Sequence, residues 1–185
     1  MIGILIFPDF QLLDASGPAA VFELAKRFVP TAPNVKMVAI QPGPVRSSCG
    51  VEVLASSLRP ANAITTLVVA GGLGVEAAIE CPKTLAFVRR LARSGVRVAS
   101  VCTGAYILAA AGLLDGQMAT THWSSAQDFV ARYPKVKLDA DRIFLRNGNV
   151  WTSAGVTAGI DLALALAAED HGDAIAKDIA SQLVL

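Results

Sequence analysis

Short β-branched runs alternate with stretches of helical period along this chain, and that alternation leaves few folds open to it. "IGILIF" (2–7), "VKMVAI" (35–40), "TTLVVA" (65–70) and "RVASV" (97–101) are apolar and five or six residues long. Their lack of strict polar alternation suits strands buried on both faces of a parallel sheet. Ser16-Gly17-Pro18 offers a capping hydroxyl and a first-turn proline to the helix that follows. In it Val21, Leu24, Ala25 and Phe28 repeat at helical spacing, while Glu23, Lys26 and Arg27 take the other face. A second helix is predicted over 83–94, with Leu85, Val88 and Leu91 inward and Arg89, Arg90 and Arg93 outward. Strands alternating with helices predict a mostly parallel α/β sheet covered on both faces. Ligands of such sheets sit beyond the carboxyl ends of the strands.

The rest of the chain continues the pattern. Short extended pieces are predicted around Val45 and over 51–54, within a turn-rich stretch. "GQMATTHW" (116–123) carries a short strand ending near His122, followed by a helix over 124–133. "RIFLRNGNVWTSAG" (142–155) reads as a hairpin turning at Asn147-Gly148, and residues 154–169 return to helix. No repeat, low-complexity tract or linker interrupts the 185 residues, so one domain over 1–185 is expected.

Composition excludes several classes. With 54% hydrophobic and 17% charged residues the chain is not a disordered one. Its apolar stretches are broken by Gly112, or by Asp161 and Glu169, before reaching the roughly 18 residues of a membrane span. The first residues lack a basic flank and a cleavage site, so they read as a strand rather than a signal peptide. Three cysteines lie far apart at 49, 81 and 102 and there are two histidines, so neither a disulfide framework nor a zinc site is expected. No cofactor is expected, and the cytoplasm is the compartment that fits. A net charge of +1 gives this domain no electrostatic reason to bind nucleic acid.

The chemistry gathers at strand ends. Cys102 ends a strand and precedes a helix of small and apolar residues, "TGAYILAAAGLL". A nucleophile on such an elbow needs small residues two before and two after it, and Ser100 and Gly104 meet that demand. A sulfur at a helix start faces unpaired N–H groups that favour thiolate, which would make Cys102 the most reactive of the three thiols. Cysteines are also common as small buried residues, and spacing alone leaves both readings open. Asp14 follows the first strand, either as a helix cap or as a proton partner for the cysteine. Gly71 and Gly72 form either a plain tight turn or a pair of oxyanion donors. His122 stands at a further strand end, structural or catalytic. Loops around Phe10, Gln11, Leu73 and Trp151 are expected to shape a pocket there.

Five segments together carry a resemblance: "LDASGP", "VAGGLG", "SVCTGAYILAAAGLLDG", "ATTHW" and "NVWTSAGVTAGIDLALAL". They resemble the ThiJ/PfpI superfamily, with its class I glutamine amidotransferase-like fold. The likeness is strongest to the amidotransferase-like sensing domain at the amino end of AraC-type transcription regulators. It implies a flavodoxin-like three-layer sandwich, a homodimer, and an elbow cysteine beside an acidic residue. Carried over, these are Cys102 and Asp14, with the glycine backbone of Gly71 and Gly72 and the nearby His122. Thr103 follows the cysteine, so the peptidase dyad of one branch is absent and proteolysis is not implied. The aspartate, Cys102-Thr103-Gly104 and Thr121-His122-Trp123 also resemble isonitrile hydratase, which implies thiol addition to an isocyano carbon with Asp14 handling the proton.

Residues 175, 179 and 183, all apolar, share one helical face near the end of the chain, which closes on Leu-Val-Leu. This resembles the junction helix that leads into the helix-turn-helix half of AraC-type regulators, so a DNA-binding domain is expected beyond Leu185. The expected function is a dimerising domain that senses a small-molecule effector, with DNA contacted only through that second domain and no membrane partner. The alternative is a free-standing cysteine-dependent hydratase that forms N-formamides.

Overall fold

The computed structural model describes residues 1–58 and 63–185. In chain order the elements are β1 (Ile2–Leu5), α1 (Leu12–Phe28), β2 (Val35–Ala39), β3 (Gly43–Arg46), β4 (Glu52–Ser57) and β5 (Thr66–Val69). Then come α2 (Val75–Glu80), α3 (Pro82–Arg93), β6 (Arg97–Val101), α4 (Gly104–Ala110), β7 (Met118–Ala119) and α5 (Ala126–Arg132). The chain closes with β8 (Lys137–Leu138), β9 (Phe144–Asn147), β10 (Val150–Ser153), α6 (Ala158–His171) and α7 (Asp173–Leu183).

The four apolar runs form the middle of one eight-stranded sheet, in the order β3-β4-β2-β1-β5-β6-β10-β9. Every pairing from β4 to β10 is parallel, with Ile2 opposite both Val35 and Thr66 and Thr66 opposite Arg97. Only the flanking strands β3 and β9 run antiparallel. The central strands β1 and β5 are fully buried because helices cover both faces. α1, α6 and α7 pack together as one layer and α2, α3 and α4 as the other, so the fold is a three-layer α/β sandwich. Among the described residues no helix is long and apolar enough to cross a membrane.

Several boundaries differ from those the sequence predicts, each for a local reason. α1 begins at Leu12, with extended Gln11 before it, so Pro18 lies inside the helix. Ser16 does not cap; its hydroxyl donates back to the carbonyl of Leu12 at 3.0 Å. Gly17 serves packing, since a Cβ there would meet Ile160 of α6 at 3.0 Å. Phe28, at the helix end, is exposed instead of inward. α6 begins at Ala158 and not at 154, because Gly155 and Val156 both take positive φ. The strand before His122 is only two residues long and pairs with β8, outside the main sheet. Trp123–Ser125 forms a 3-10 turn leading into α5.

One ion-pair cluster fixes α6 against the sheet. The Arg97 guanidinium, largely buried at the amino end of β6, donates to Glu169 at 2.8 Å, to both carboxylate oxygens of Asp170 and to the Thr66 hydroxyl. These pairs hold the carboxyl end of α6, while its amino end faces the opposite edge of the sheet. That edge holds the cysteine.

Candidate functional site

β6 stops at Val101, and Cys102 then takes φ +57°, a left-handed conformation that costs a non-glycine residue about 1–2 kcal/mol. Neighbouring strands and loops hold it there. Its N–H donates to the carbonyl of Ser153 in β10, and its own carbonyl accepts from the Thr121 hydroxyl at 3.0 Å. The small residue two positions on is required, because a Cβ at Gly104 would lie 2.4 Å from the Val69 carbonyl oxygen. Ser100, two positions before, is buried with no partner for its hydroxyl. Cys102 is therefore on a strained strand-to-helix elbow, as its spacing suggests.

Asp14 is fully buried in the first turn of α1 and caps nothing in its own helix. One carboxylate oxygen accepts from the Gly71 N–H at 3.0 Å and the other from the Val156 N–H at 3.1 Å. The Cys102 thiol donates to the same carboxylate. Three loops, after β5, β6 and β10, thus converge on one side chain. Burial raises the Asp14 pKa from 3.8 to about 6, against the opposing pull of these three hydrogen bonds.

Burial also acts on the thiol. It pushes Cys102 up to about 12, assisted by the Asp14 charge and the hydrogen bond to Asp14, and opposed by donors from Thr103. At neutral pH the shared proton stays on sulfur. Desolvation and the facing carboxylate thus act against the N–H groups of the seven-residue helix, which were expected to favour a thiolate at Cys102.

The glycine pair is engaged within the protein. Gly71 gives its N–H to Asp14, and Gly72 gives its N–H to the Thr103 hydroxyl at 2.9 Å. That hydroxyl also lies 3.3 Å from the Gly72 carbonyl, to which it can donate. A Cβ on Gly71 would stand 2.6 Å from the Thr103 nitrogen and 2.9 Å from the Asp14 carboxylate, so only glycine fits. In this arrangement the two N–H groups order the loop, and neither is free to meet an oxyanion.

Asp14, Gly71, Gly72, Cys102 and Thr103 therefore form one hydrogen-bonded network. His122 stands outside it. Its Nδ1 pairs with the Ser124 hydroxyl at 2.7 Å, its ring lies beside Trp123, and it makes no hydrogen bond to Cys102 or Asp14. Its neighbour Thr121 makes the contact instead. Trp151 is likewise no loop residue: it is buried within β10 and stacks on Phe144. Phe10 is buried and bridged to Gly72, whereas Leu73 is 81% exposed beside the network. Among the described residues no group of three or more His, Cys, Asp or Glu side chains could hold a metal ion.

Sequence reasoning gave no role to Gly155 or Val156, and named Thr121 only within the Thr121-His122-Trp123 element. Gly155 takes φ +113°, and a Cβ there would fall 2.6 Å from Cys102 Cβ. A glycine just past a strand end was its available signal. Val156 contributes only a backbone N–H, which no side-chain pattern announces.

Comparison with known proteins places this network in context. The DJ-1/PfpI family model matches residues 1–169, from β1 through Asp14, the elbow and Val156. Isonitrile hydratase of Pseudomonas putida is 37% identical over 185 residues, covering 98% of this chain and 77% of that protein. The HTH-type transcriptional regulator CdhR of Pseudomonas aeruginosa is 34% identical over 182 residues, covering 98% of this chain but 54% of the regulator. The chain thus spans about half that regulator's length. A THiJ/PfpI family protein from Pseudomonas syringae superposes with a TM-score of 0.86 at 31% identity, over 98% of this chain and 73% of that one. An AraC family transcriptional regulator from Pseudomonas putida shares the fold, with a TM-score of 0.85 at 20% identity over 98% of each chain. A match spanning every residue of the bonded network makes this chain a member of the DJ-1/PfpI family.

Proposed function

We propose that this chain is the small-molecule-sensing, dimerising domain of an AraC-type transcription regulator. The observation that carries the reading is the state of the elbow. The N–H groups of Gly71 and Gly72 are already bonded to Asp14 and Thr103, and burial against the Asp14 carboxylate raises the Cys102 pKa. Such a site supports recognition of a neutral small molecule better than stabilisation of a developing oxyanion. Sensing requires only that the effector bind two states of the domain unequally. The network offers a route for that difference, since Val156 leads directly into α6, which packs on α1 and α7. The identity to the regulator CdhR over 98% of this chain supports the same reading.

In this reading α7, with Ile179 buried and Val184 and Leu185 exposed beyond it, belongs to the path toward the DNA-binding half and the dimer contact. The domain binds no DNA by itself, works in the reducing cytoplasm, and needs no cofactor. Cys102, Thr103 and Gly72 line the effector site, with Asp14 and Gly71 buried beneath them and His122 at its margin.

A second reading is favoured by one feature, the carboxylate of raised pKa bonded to a thiol, and by the 37% identity to isonitrile hydratase. In it the Cys102 sulfur bonds to the isocyano carbon while its proton passes through Asp14 to that carbon, giving a thioimidate. Water then adds to the carbon and the thiol leaves with its proton restored, so R–NC and water give the N-formamide. Melting temperature and product formation, followed together over a panel of isonitriles, amides and amino-acid-derived metabolites, separate the two. The sensor requires stabilisation without product. Turnover of an isonitrile that disappears in Cys102→Ala would overturn it in favour of the hydratase.

A further inference from the structure

The sheet has a second opening, distinct from the elbow network. Between the carboxyl ends of β1 and β2, strand β3 and the corner where α2 meets α3 lies a cavity of about 520 Å³. That volume falls in the range of small-molecule sites. Its wall is mainly apolar, built by Phe7, Ile40, Val45 and Ala78, and neither Cys102 nor Asp14 contributes to it. Four polar side chains break the apolar lining, Gln41, Arg46, Cys81 and Thr84, and of these only Arg46 carries a fixed positive charge.

Arg46 is exposed and makes no ion pair with any described residue. Arg89, Arg90 and Arg93 likewise have no carboxylate partner among the described residues, but Arg46 is the one arginine that lines this cavity. An unpaired guanidinium beside an apolar cavity complements a ligand with a hydrocarbon body and an anionic head. The cavity wall is held firmly on one side: the Gly74 N–H donates to the Asp9 carbonyl, and no side chain larger than glycine fits against Pro8 there.

We infer that this cavity binds a small apolar carboxylate, with its hydrocarbon chain against Phe7, Ile40, Val45 and Ala78 and its carboxylate on Arg46. The site is independent of what happens at Cys102. Cys81 serves as its reporter, because a ligand in the cavity covers a thiol that is otherwise open to reagent.

The probes are octanoate, octanol and octylamine, kept below micelle-forming concentrations. Binding is measured by titration calorimetry, and position by iodoacetamide labelling of Cys81 read by peptide mass mapping on the intact chain. Octanoate should bind in preference to both other probes and slow Cys81 labelling about tenfold at saturation. Arg46→Gln, a surface change whose melting temperature checks the fold, should weaken octanoate about fivefold and leave octanol unchanged. Ala77→Phe, which fills the cavity from its exposed side, should abolish octanoate binding. The inference fails if octanol binds as tightly as octanoate, if octanoate binds without protecting Cys81, or if no octanoate binds at all.

Discussion

Cys102 and Cys81 each stand just before a helix in the same layer of the sandwich, yet their surroundings drive them in opposite directions. Cys81 has ordinary extended geometry at the head of α3, with φ −83° and ψ 109°. Its sulfur receives the Thr84 hydroxyl and the N–H groups of Thr84 and Lys83, which lower its pKa despite partial burial. Cys102 takes the left-handed elbow, where its sulfur is buried against Asp14 and its pKa rises to about 12. A helix start by itself therefore does not make a thiolate. What the sulfur faces, and how much water reaches it, decide the outcome.

The largest expected effect tests that contrast directly. Iodoacetamide at pH 7.5 should label Cys81 at least about a hundredfold faster than Cys102, through a larger thiolate fraction and better access. Peptide mass mapping over time gives both rates in one sample. Labelling of Cys102 first would mean that the elbow thiol is activated after all, and would reverse the comparison.

Next in size is the consequence of removing the charge that faces Cys102. In Asp14→Asn the thiol loses both the Coulombic and hydrogen-bond causes of its high pKa, while burial remains. Its pKa should fall toward, but not below, the ordinary 9.0, and its labelling should quicken about tenfold. An unchanged rate would reduce Asp14 to a tie between loops. The same variant tests a pH effect. Because folding raises the Asp14 pKa from 3.8 to about 6, the folded state holds that proton more tightly than the unfolded chain. The resulting stability is fully present below pH 3.8 and is lost as pH rises through about 6, on the order of 3 kcal/mol in all. Denaturant melts from pH 4 to 7 should show the wild type losing about this much relative to the Asn variant.

These two thiols also mark how far the sequence could be read. The parallel core was legible because apolar runs such as 35–40 and 97–101 are too short for helices and too uniformly apolar for exposed strands. The elbow was legible because Gly104 has a steric cause that spacing preserves. The fate of the proton was not. It depends on burial and on Asp14 arriving 88 positions away in sequence, and both are products of tertiary packing. The start of α1 was misread because Ser16 and Pro18 have the composition of a cap. In the fold, Gln11 sets the helix start and the Ser16 hydroxyl turns back on Leu12. His122 was named with the network because it follows a strand end and matches the histidine that the resemblance implies, but Thr121 makes the contact with Cys102.

Glycine substitutions sharpen the comparison in a different currency, fold stability. At Gly155 a Cβ would collide with Cys102 at 2.6 Å and would also demand φ +113°, so Gly155→Ala should cost about 3 kcal/mol. Gly95, which follows α3, also has positive φ but nothing within 4 Å of a Cβ, so Gly95→Ala should cost about 1 kcal/mol. Paired urea melts measure the difference. Equal costs would show that the loop over Cys102 yields, and that the elbow is less tightly enclosed than its geometry implies.

The smallest effect lies on the Cys81 side. Thr84 is buried, and its hydroxyl is the largest of the causes that lower the Cys81 pKa. Thr84→Val keeps the shape and removes the hydroxyl, leaving the N–H groups of Thr84 and Lys83 and the Lys83 charge in place. The Cys81 pKa should therefore rise modestly, and labelling at pH 7.5 should slow about threefold, the scale expected when one neutral hydrogen bond to sulfur is lost. Labelling of Cys102 in the same sample should not change, because Thr84 has no part in its network. The pH dependence carries the decisive signature: the Cys81 profile should shift to higher pH without losing its plateau rate. A loss of plateau rate with no shift would mean that Thr84 governs access to the sulfur and not its proton, and that the contrast between the two thiols rests on burial alone.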